Sequence, residues 1–261
     1  YIRYKLFHEG VRMKLVADIG NSTIQIALWK NKSLQRVLQF ETSSYKKMNF
    51  YLSKYKNNLI ESIFFSCVAE ERVANDFKRC AKKIFKCKVE QIKSSSKLFG
   101  VVNGYKKPTK LGDDRWVTIV ASYLLYQKPL MIVDCGTAIS IDVVNIKGIH
   151  LGGYILGSFD GYAKSFKDAY HLKNIKIKEG SVLQKKSFPK KTEDGITEGY
   201  LLMVVSAIEN AYNQIKKNQK TLPKLLISGG YGKIISKRLS VKNKYEPNLV
   251  LISLGLIANH L

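Results

Sequence analysis

One short device occurs twice in the chain, and it restricts the fold more than any other feature. Leu15-Val16-Ala17 runs into Asp18-Ile19-Gly20-Asn21-Ser22, and Met131-Ile132-Val133 runs into Asp134-Cys135-Gly136-Thr137-Ala138. Each reads as a buried strand, an Asp-x-Gly turn and a returning strand. The returning strands are Thr23 to Trp29, with Ile24, Ile26 and Leu28 on one face, and Ile139 to Val144, with Ile139, Ile141 and Val143. Gly20 and Gly136 are expected to make tight hairpin turns with unusual backbone angles. Asp134 follows Asp18 by a little under half of the 261 residues, so the chain reads as two α/β halves of ordinary domain size.

An aspartate at a strand end can hold a hydrated Mg²⁺ or a monovalent cation. A turn of glycine and small polar residues offers backbone N–H groups to phosphate oxygens. Two such turns facing each other would clamp a triphosphate and its cation. An ordinary hairpin with a turn aspartate accounts for either copy alone; the recurrence at equivalent places is what points to a site.

The remaining pattern fits the two halves. Ser62 to Ser66 is an apolar strand, followed by a helix whose buried face is Val73, Phe77, Cys80, Ala81 and Ile84. A second helix, Arg115 to Tyr126, buries Trp116, Ile119, Val120, Tyr123 and Leu124. Gln127-Lys128-Pro129 ends it. The expected organisation is an extension or artificial remnant over residues 1–12, a first domain over 13–128 and a second over 129–261. In the second, Glu198 to Lys217 reads as a long helix and Leu225 to Ser228 as a strand, while Lys173 to Lys191 reads as an exposed, mobile stretch.

Composition narrows the functional classes. The net charge is +24 and the pI about 9.8, a field that attracts polyanions. Arginine, the better reader of phosphate and base edges, contributes only seven residues, and the lysines are dispersed rather than gathered in one arm. A solvated basic surface is therefore favoured over a specific nucleic-acid site. No apolar run reaches the length of a membrane helix. Cys67, Cys80, Cys87 and Cys135 form no CxxC pair, and the four histidines fall in no recognisable catalytic motif. Reduced thiols in the cytoplasm are expected.

The stretch Tyr105-Lys106-Lys107-Pro108-Thr109-Lys110-Leu111-Gly112-Asp113-Asp114-Arg115-Trp116 leads into the second helix. Asp113 or Asp114 is expected to cap that helix. Two adjacent aspartates followed by arginine exceed what a cap requires. A carboxylate beside a hydroxyl can act as general base, and an arginine can grip a substrate carboxylate in a bidentate pair.

Taken together, these stretches resemble the type III pantothenate kinase family. The resemblance rests on Asp18-Ile-Gly-Asn-Ser, Ser66-Cys-Val, Tyr105…Pro108…Leu111-Gly-Asp-Asp-Arg115, Asp134-Cys-Gly-Thr-Ala, Gly152-Gly-Tyr-Ile-Leu-Gly157 and Thr192 ahead of Gly199, in the family's order. It implies the actin/sugar-kinase/heat-shock superfamily fold, two ribonuclease-H-like halves with a central nucleotide cleft. It also implies ATP-dependent phosphorylation of pantothenate at the start of coenzyme A synthesis, with Mg²⁺, K⁺ or ammonium, and a homodimer.

By the same resemblance, Asp18, Ile19, Gly20, Asn21, Ser22, Thr23, Ile24 and Gln25 form the first ATP-phosphate segment, with Asp18 positioning Mg²⁺ through water. Asp134 holds the monovalent cation, and Gly136 and Thr137 meet the ATP phosphates. Tyr105, Gly112, Asp113, Asp114 and Arg115 line the pantothenate site, joined by Thr192 from the partner subunit, and Asp114 is the general base. Gln25 departs from the family's frequent lysine, and Leu156 from its proline. Two other readings stand beside this one: a kinase for another small alcohol, and a non-enzymatic regulatory factor on the same fold.

Overall fold

The alternating apolar residues from Met13 to Glu41 fold into a meander. In the computed structural model this comprises β1 (Met13–Ile19), β2 (Thr23–Lys30) and β3 (Ser33–Glu41), each antiparallel to the one before. The structure describes residues 13–170, 188–218 and 221–261. The extension read over residues 1–12 and most of the lysine-rich stretch from Lys173 lie outside them.

The described residues fall into two compact units. The first comprises residues 13–93, 112–117 and 250–261. After the meander come a 3-10 turn, the short helix α1 (Met48–Ser53), β4 (Ile60–Cys67), α2 (Glu71–Phe85) and β5 (Lys88–Gln91). The sheet order is β3-β2-β1-β4-β5, with β4 parallel to both β1 and β5. Its core joins Leu15, Ala17, Ile24, Ile26, Ile63 and Phe65 to Phe77 and Ala81 of α2. The face read from sequence for α2 is the face it buries, with Ala74 added and Ile84 only partly covered. A register shift opposite Arg36, whose φ is +51°, bulges β3. The buried Tyr55 hydroxyl lies 2.9 Å from the Ile26 carbonyl and 2.7 Å from that of Arg36, bracing the bulge.

The second unit comprises 94–111 and the described residues of 118–249. The small hairpin β6 (Lys97–Leu98) and β7 (Val101–Val102) precedes α3 (Asp113–Tyr126), whose first residues belong to the first unit. Then come β8 (Leu130–Cys135), β9 (Ala138–Val144), β10 (His150–Gly157), α4 (Phe159–Tyr170), α5 (Thr192–Asn218), β11 (Lys224–Ser228), α6 (Gly232–Arg238) and β12 (Asn243–Tyr245). The sheet order is β10-β9-β8-β11-β12, and as in the first sheet two antiparallel pairings are followed by two parallel ones. The repeated turn device is therefore one part of a repeated five-stranded topology.

Met131, Val133, Ile139, Ile141, Leu225 and Ile227 pack beneath Leu201, Val204 and Ile208 of α5. This helix begins six residues before the Glu198 expected from periodicity, because Gly195 and Gly199 weaken the helical signal without breaking the helix. Gly229, where β11 ends, has φ +84°, and a Cβ there would lie 2.4 Å from the Cys135 carbonyl; only glycine fits. The chain closes with α7 (Leu249–Ala258), which buries Leu251, Leu254 and Ile257. Just beyond it, Asn259 accepts a 3.2 Å hydrogen bond from the Trp29 indole of the first unit. No helix among the described residues is long and apolar enough to cross a membrane.

Candidate active site

β1 ends on Asp18-Ile19, and pairing sets what surrounds the aspartate. In register, Asp18 stands opposite Gln25 of β2 and Ser66 of β4, so the three side chains share one face. Ser66, fully buried, donates from Oγ to Asp18 Oδ1 at 2.8 Å. Gln25 donates instead to Gln39 Oε1 at 2.9 Å on β3. Ile19 and Ile24 are core residues with no exposed side chain, so the segment from Asp18 to Gln25 presents backbone and small polar groups. Asn21 and Ser22 are exposed at its tip. Thr42 holds the turn from behind: its Oγ1 donates to the Gly20 carbonyl at 2.8 Å and its N–H to the Ser22 carbonyl at 2.9 Å.

Neither turn glycine takes the backbone angles expected from sequence. Gly20 and Gly136 both lie outside the left-handed region. The hairpins close with ordinary glycine conformations, Gly20 N–H to Thr23 O at 2.9 Å and Gly136 N–H to Ala138 O at 3.1 Å. A Cβ at Gly20 would stand 3.0 Å from that Thr23 carbonyl, so close approach is what favours glycine there.

The first unit also holds Gly112, Asp113, Asp114 and Arg115, all half-buried. The Gly112 carbonyl accepts the Trp116 N–H at 2.9 Å. Gly112 is thus the capping residue of α3, and Asp113 and Asp114 occupy its first two helical positions rather than the cap. Carboxylates in that turn are favoured by the helix dipole. Asp114 Oδ1 accepts the Arg115 backbone N–H at 2.7 Å. A Cβ on Gly112 would lie 2.6 Å from the same oxygen, so the absence of a side chain makes room for the carboxylate. Asp113 Oδ2 accepts from Gln91 Nε2 at 3.0 Å.

Cys67 reports how these acids gather. Burial, reinforced by the carboxylates of Asp113 and Asp18, pushes its thiol up to about 11. Asp18 and Asp113, both in the first unit, therefore each lie within electrostatic reach of the Cys67 thiol.

The second unit carries Tyr105, Asp134, Gly136, Thr137 and Thr192. Asp134 repeats the setting of Asp18: it stands opposite Ser140 of β9 and Ser228 of β11. Gly136 and Thr137 are exposed at the turn, and Thr192 is exposed at the start of α5. Cys135 is buried in the core, which pushes its thiol up. Tyr105 is half-buried, and its backbone N–H is held by Asn103 Oδ1 at 3.0 Å. Sequence reasoning passed over Gln91, Asn103 and the Asp142–His150 pair. The partnership of Ser66 with Asp18 was also missed, although Ser66 itself stood in a noted motif.

Among the described residues no three His, Cys, Asp or Glu side chains cluster as a metal cage. Single carboxylates at the two turns suit a cation completed by phosphate oxygens and water, the usual state of Mg²⁺.

These features define a class. The chain has two ribonuclease-H-like sheets of the actin/sugar-kinase/heat-shock fold, with an acidic turn repeated in each half. The fold is shared with the ADPNP-bound activator of 2-hydroxyisocaproyl-CoA dehydratase from Clostridium difficile (TM-score 0.54, 10% identity, 94% of each chain). It is shared also with a conserved Baf family protein from Campylobacter jejuni, named for transcriptional activation (TM-score 0.58, 23% identity, 94% of this chain and 98% of that one).

Within that class, the model of the type III pantothenate kinase family matches residues 14–214. The chain belongs to the type III pantothenate kinase family. It is 28% identical to the type III pantothenate kinase of Pseudoalteromonas translucida, covering 93% of this chain and 95% of the relative. It is 30% identical to that of Persephonella marina, covering 92% and 95%.

Proposed function

We propose that this protein transfers the γ-phosphoryl group of ATP to the primary hydroxyl of pantothenate, the entry to coenzyme A synthesis. The observation that carries the reading is the acidic arrangement of the first unit. Asp18 is oriented by a buried serine, and Asp114 is seated at a helix N-terminus against a glycine that leaves space for it.

Asp114 takes the hydroxyl proton as the oxygen attacks phosphorus. Arg115, next in the chain, grips the pantothenate carboxylate in a fork. Backbone amides of the Gly20 and Gly136 turns receive phosphate oxygens. When bound, Mg²⁺ and a monovalent cation would supply neutralising charge, and Asp18 and Asp134 are the residues that would hold them. Little covalent chemistry is asked of the protein, so catalysis is positioning and electrostatics.

The working form is a homodimer that brings Thr192 to the partner's substrate. Leu151, Tyr154 and Ile155 of β10 and Leu202 and Met203 of α5 are exposed and provide apolar surface for a second copy. We place the enzyme in the cytoplasm, in keeping with four cysteines that are all free thiols. A coupled assay of ADP release tests the reading: turnover should require pantothenate and rise on adding K⁺ or ammonium. Turnover with another alcohol but none with pantothenate would favour a different small-molecule kinase. Steep salt-dependent binding of nucleic acid without ATP turnover would favour a regulator.

A further inference from the structure

The second unit buries a hydrogen-bonded aspartate–histidine couple that the proposed chemistry does not use. Asp142 on β9 points away from the core face of Ile141 and Val143. Its Oδ1 lies 2.9 Å from His150 Nε2, at the start of β10. Both residues are 1% exposed. A buried acid and imidazole are costly to hold away from water, and the opposite ring nitrogen, Nδ1, has no hydrogen-bond partner.

What the pair touches is the segment carrying Tyr105. The Tyr105 and His150 rings lie in offset stacking, centroids 5.7 Å apart and planes 18° from parallel. The backbone meets as well: a Cβ on Gly104 would fall 1.8 Å from the His150 carbonyl oxygen, so Gly104 lets the segment lie flat on β10. Val102 N–H reaches the Gly148 carbonyl at 2.9 Å. From the other side, buried Asn103 fixes the Tyr105 N–H, and its amide donates to Ser94 Oγ at 3.1 Å. Ser94 in turn donates to the Pro108 carbonyl at 2.8 Å. The residues from Asn103 to Pro108 are thus closed by Asn103 and Ser94 and seated on the His150 ring, which Asp142 orients.

We propose that His150 is a positioning residue for substrate recognition, with its ring as the platform that sets the Tyr105 side chain and Asp142 as the anchor that sets the ring. This rests on the reading that Tyr105 meets pantothenate. In this role His150 acts on the substrate only through Tyr105, on which its ring stacks. Its effect passes through Tyr105, so it should alter pantothenate binding and leave ATP binding alone.

The test uses two double variants, each free of a buried unpaired acid. His150→Phe with Asp142→Ala keeps an aromatic platform, whereas His150→Leu with Asp142→Ala removes it. Steady-state KM for pantothenate and for ATP, kcat and Tm are measured for both, alongside Tyr105→Ala. The Leu variant should raise the pantothenate KM by roughly three- to ten-fold, the scale of one lost aromatic pair. Its ATP KM should stay within about two-fold, and the Phe variant should stay near wild type in both. Equal pantothenate KM in the Leu and Phe variants would overturn the positioning role. So would parallel rises in both KM values tracking Tm. An unchanged pantothenate KM in Tyr105→Ala would overturn the substrate role of Tyr105 and the inference with it. A raised KM in Tyr105→Ala without one in the Leu variant would overturn the inference alone.

Discussion

Ser66 Oγ donates a 2.8 Å hydrogen bond to Asp18 Oδ1 across neighbouring parallel strands, joining residues 48 apart in sequence. One oxygen of the acid is thereby fixed by a donor that solvent does not reach. A hydrogen bond to a charged group contributes about 1.5–3 kcal/mol. Ser66→Ala should therefore lower kcat/KM for ATP by roughly 10- to 100-fold and leave the pantothenate KM within about two-fold. Initial-rate kinetics with each substrate varied will check this; an unchanged kcat/KM for ATP would show that Asp18 needs no such support.

Gly112 and Asp114 are coupled sterically. A methyl group at Gly112 would lie 2.6 Å from Asp114 Oδ1 and 3.3 Å from Val68 Cγ1. Alanine is otherwise acceptable at a helix start, at a cost of about 1 kcal/mol or less. Gly112→Ala should thus keep the fold while displacing the carboxylate, lowering kcat by at least about ten-fold through misplacement alone. Single-turnover rates together with far-UV circular dichroism separate the two effects.

Arg115 offers a planar fork, and lysine offers a point charge. Arg115→Lys should raise the pantothenate KM by roughly ten-fold or more, with ATP KM unaffected, as expected for loss of one bidentate charge-assisted pair. Substitution of pantothenate by its uncharged alcohol analogue should cancel the difference between wild type and variant.

Cys67 titrates late, at about 11 rather than the ordinary 9.0, because burial and nearby carboxylates disfavour its thiolate. In the window between those values the folded state holds a proton that the unfolded state has released. The thiol's contribution to stability is therefore complete below pH 9 and is lost as pH rises towards 11. At pH 8 Cys67 should resist iodoacetamide in the native protein and react promptly in urea, as peptide mapping by mass spectrometry would reveal.

The sequence made much of this site visible because its strongest signals are local. Asp18 and Asp134 each stand in a strand-turn-strand pattern that can be read within ten residues, and Gly112-Asp-Asp-Arg115 stands directly before a helix. What was hidden depends on pairing between distant segments. The link from Ser66 to Asp18 exists only once β4 lies parallel to β1, and that from Gln91 to Asp113 only once β5 lies near α3. His150 carried no motif, and its meaning comes from Asp142 one strand away and from the segment folded over it. The turn glycines misled in the opposite direction: glycine suggested left-handed backbone, but close approach to the Thr23 carbonyl explains Gly20 better. Aspartate often caps helices, so either Asp113 or Asp114 is the expected cap from sequence, yet Gly112 takes that position and the two acids become the first two helical residues.

The central claim is that Asp114 receives the substrate proton, and Asp114→Asn tests it most directly. The amide keeps the shape and the hydrogen bond from the Arg115 N–H but cannot accept a proton. Measured by the coupled assay, the variant should bind ATP and unfold at the wild-type temperature while its kcat falls by about 10²–10⁴. A kcat within about three-fold of wild type would contradict the account.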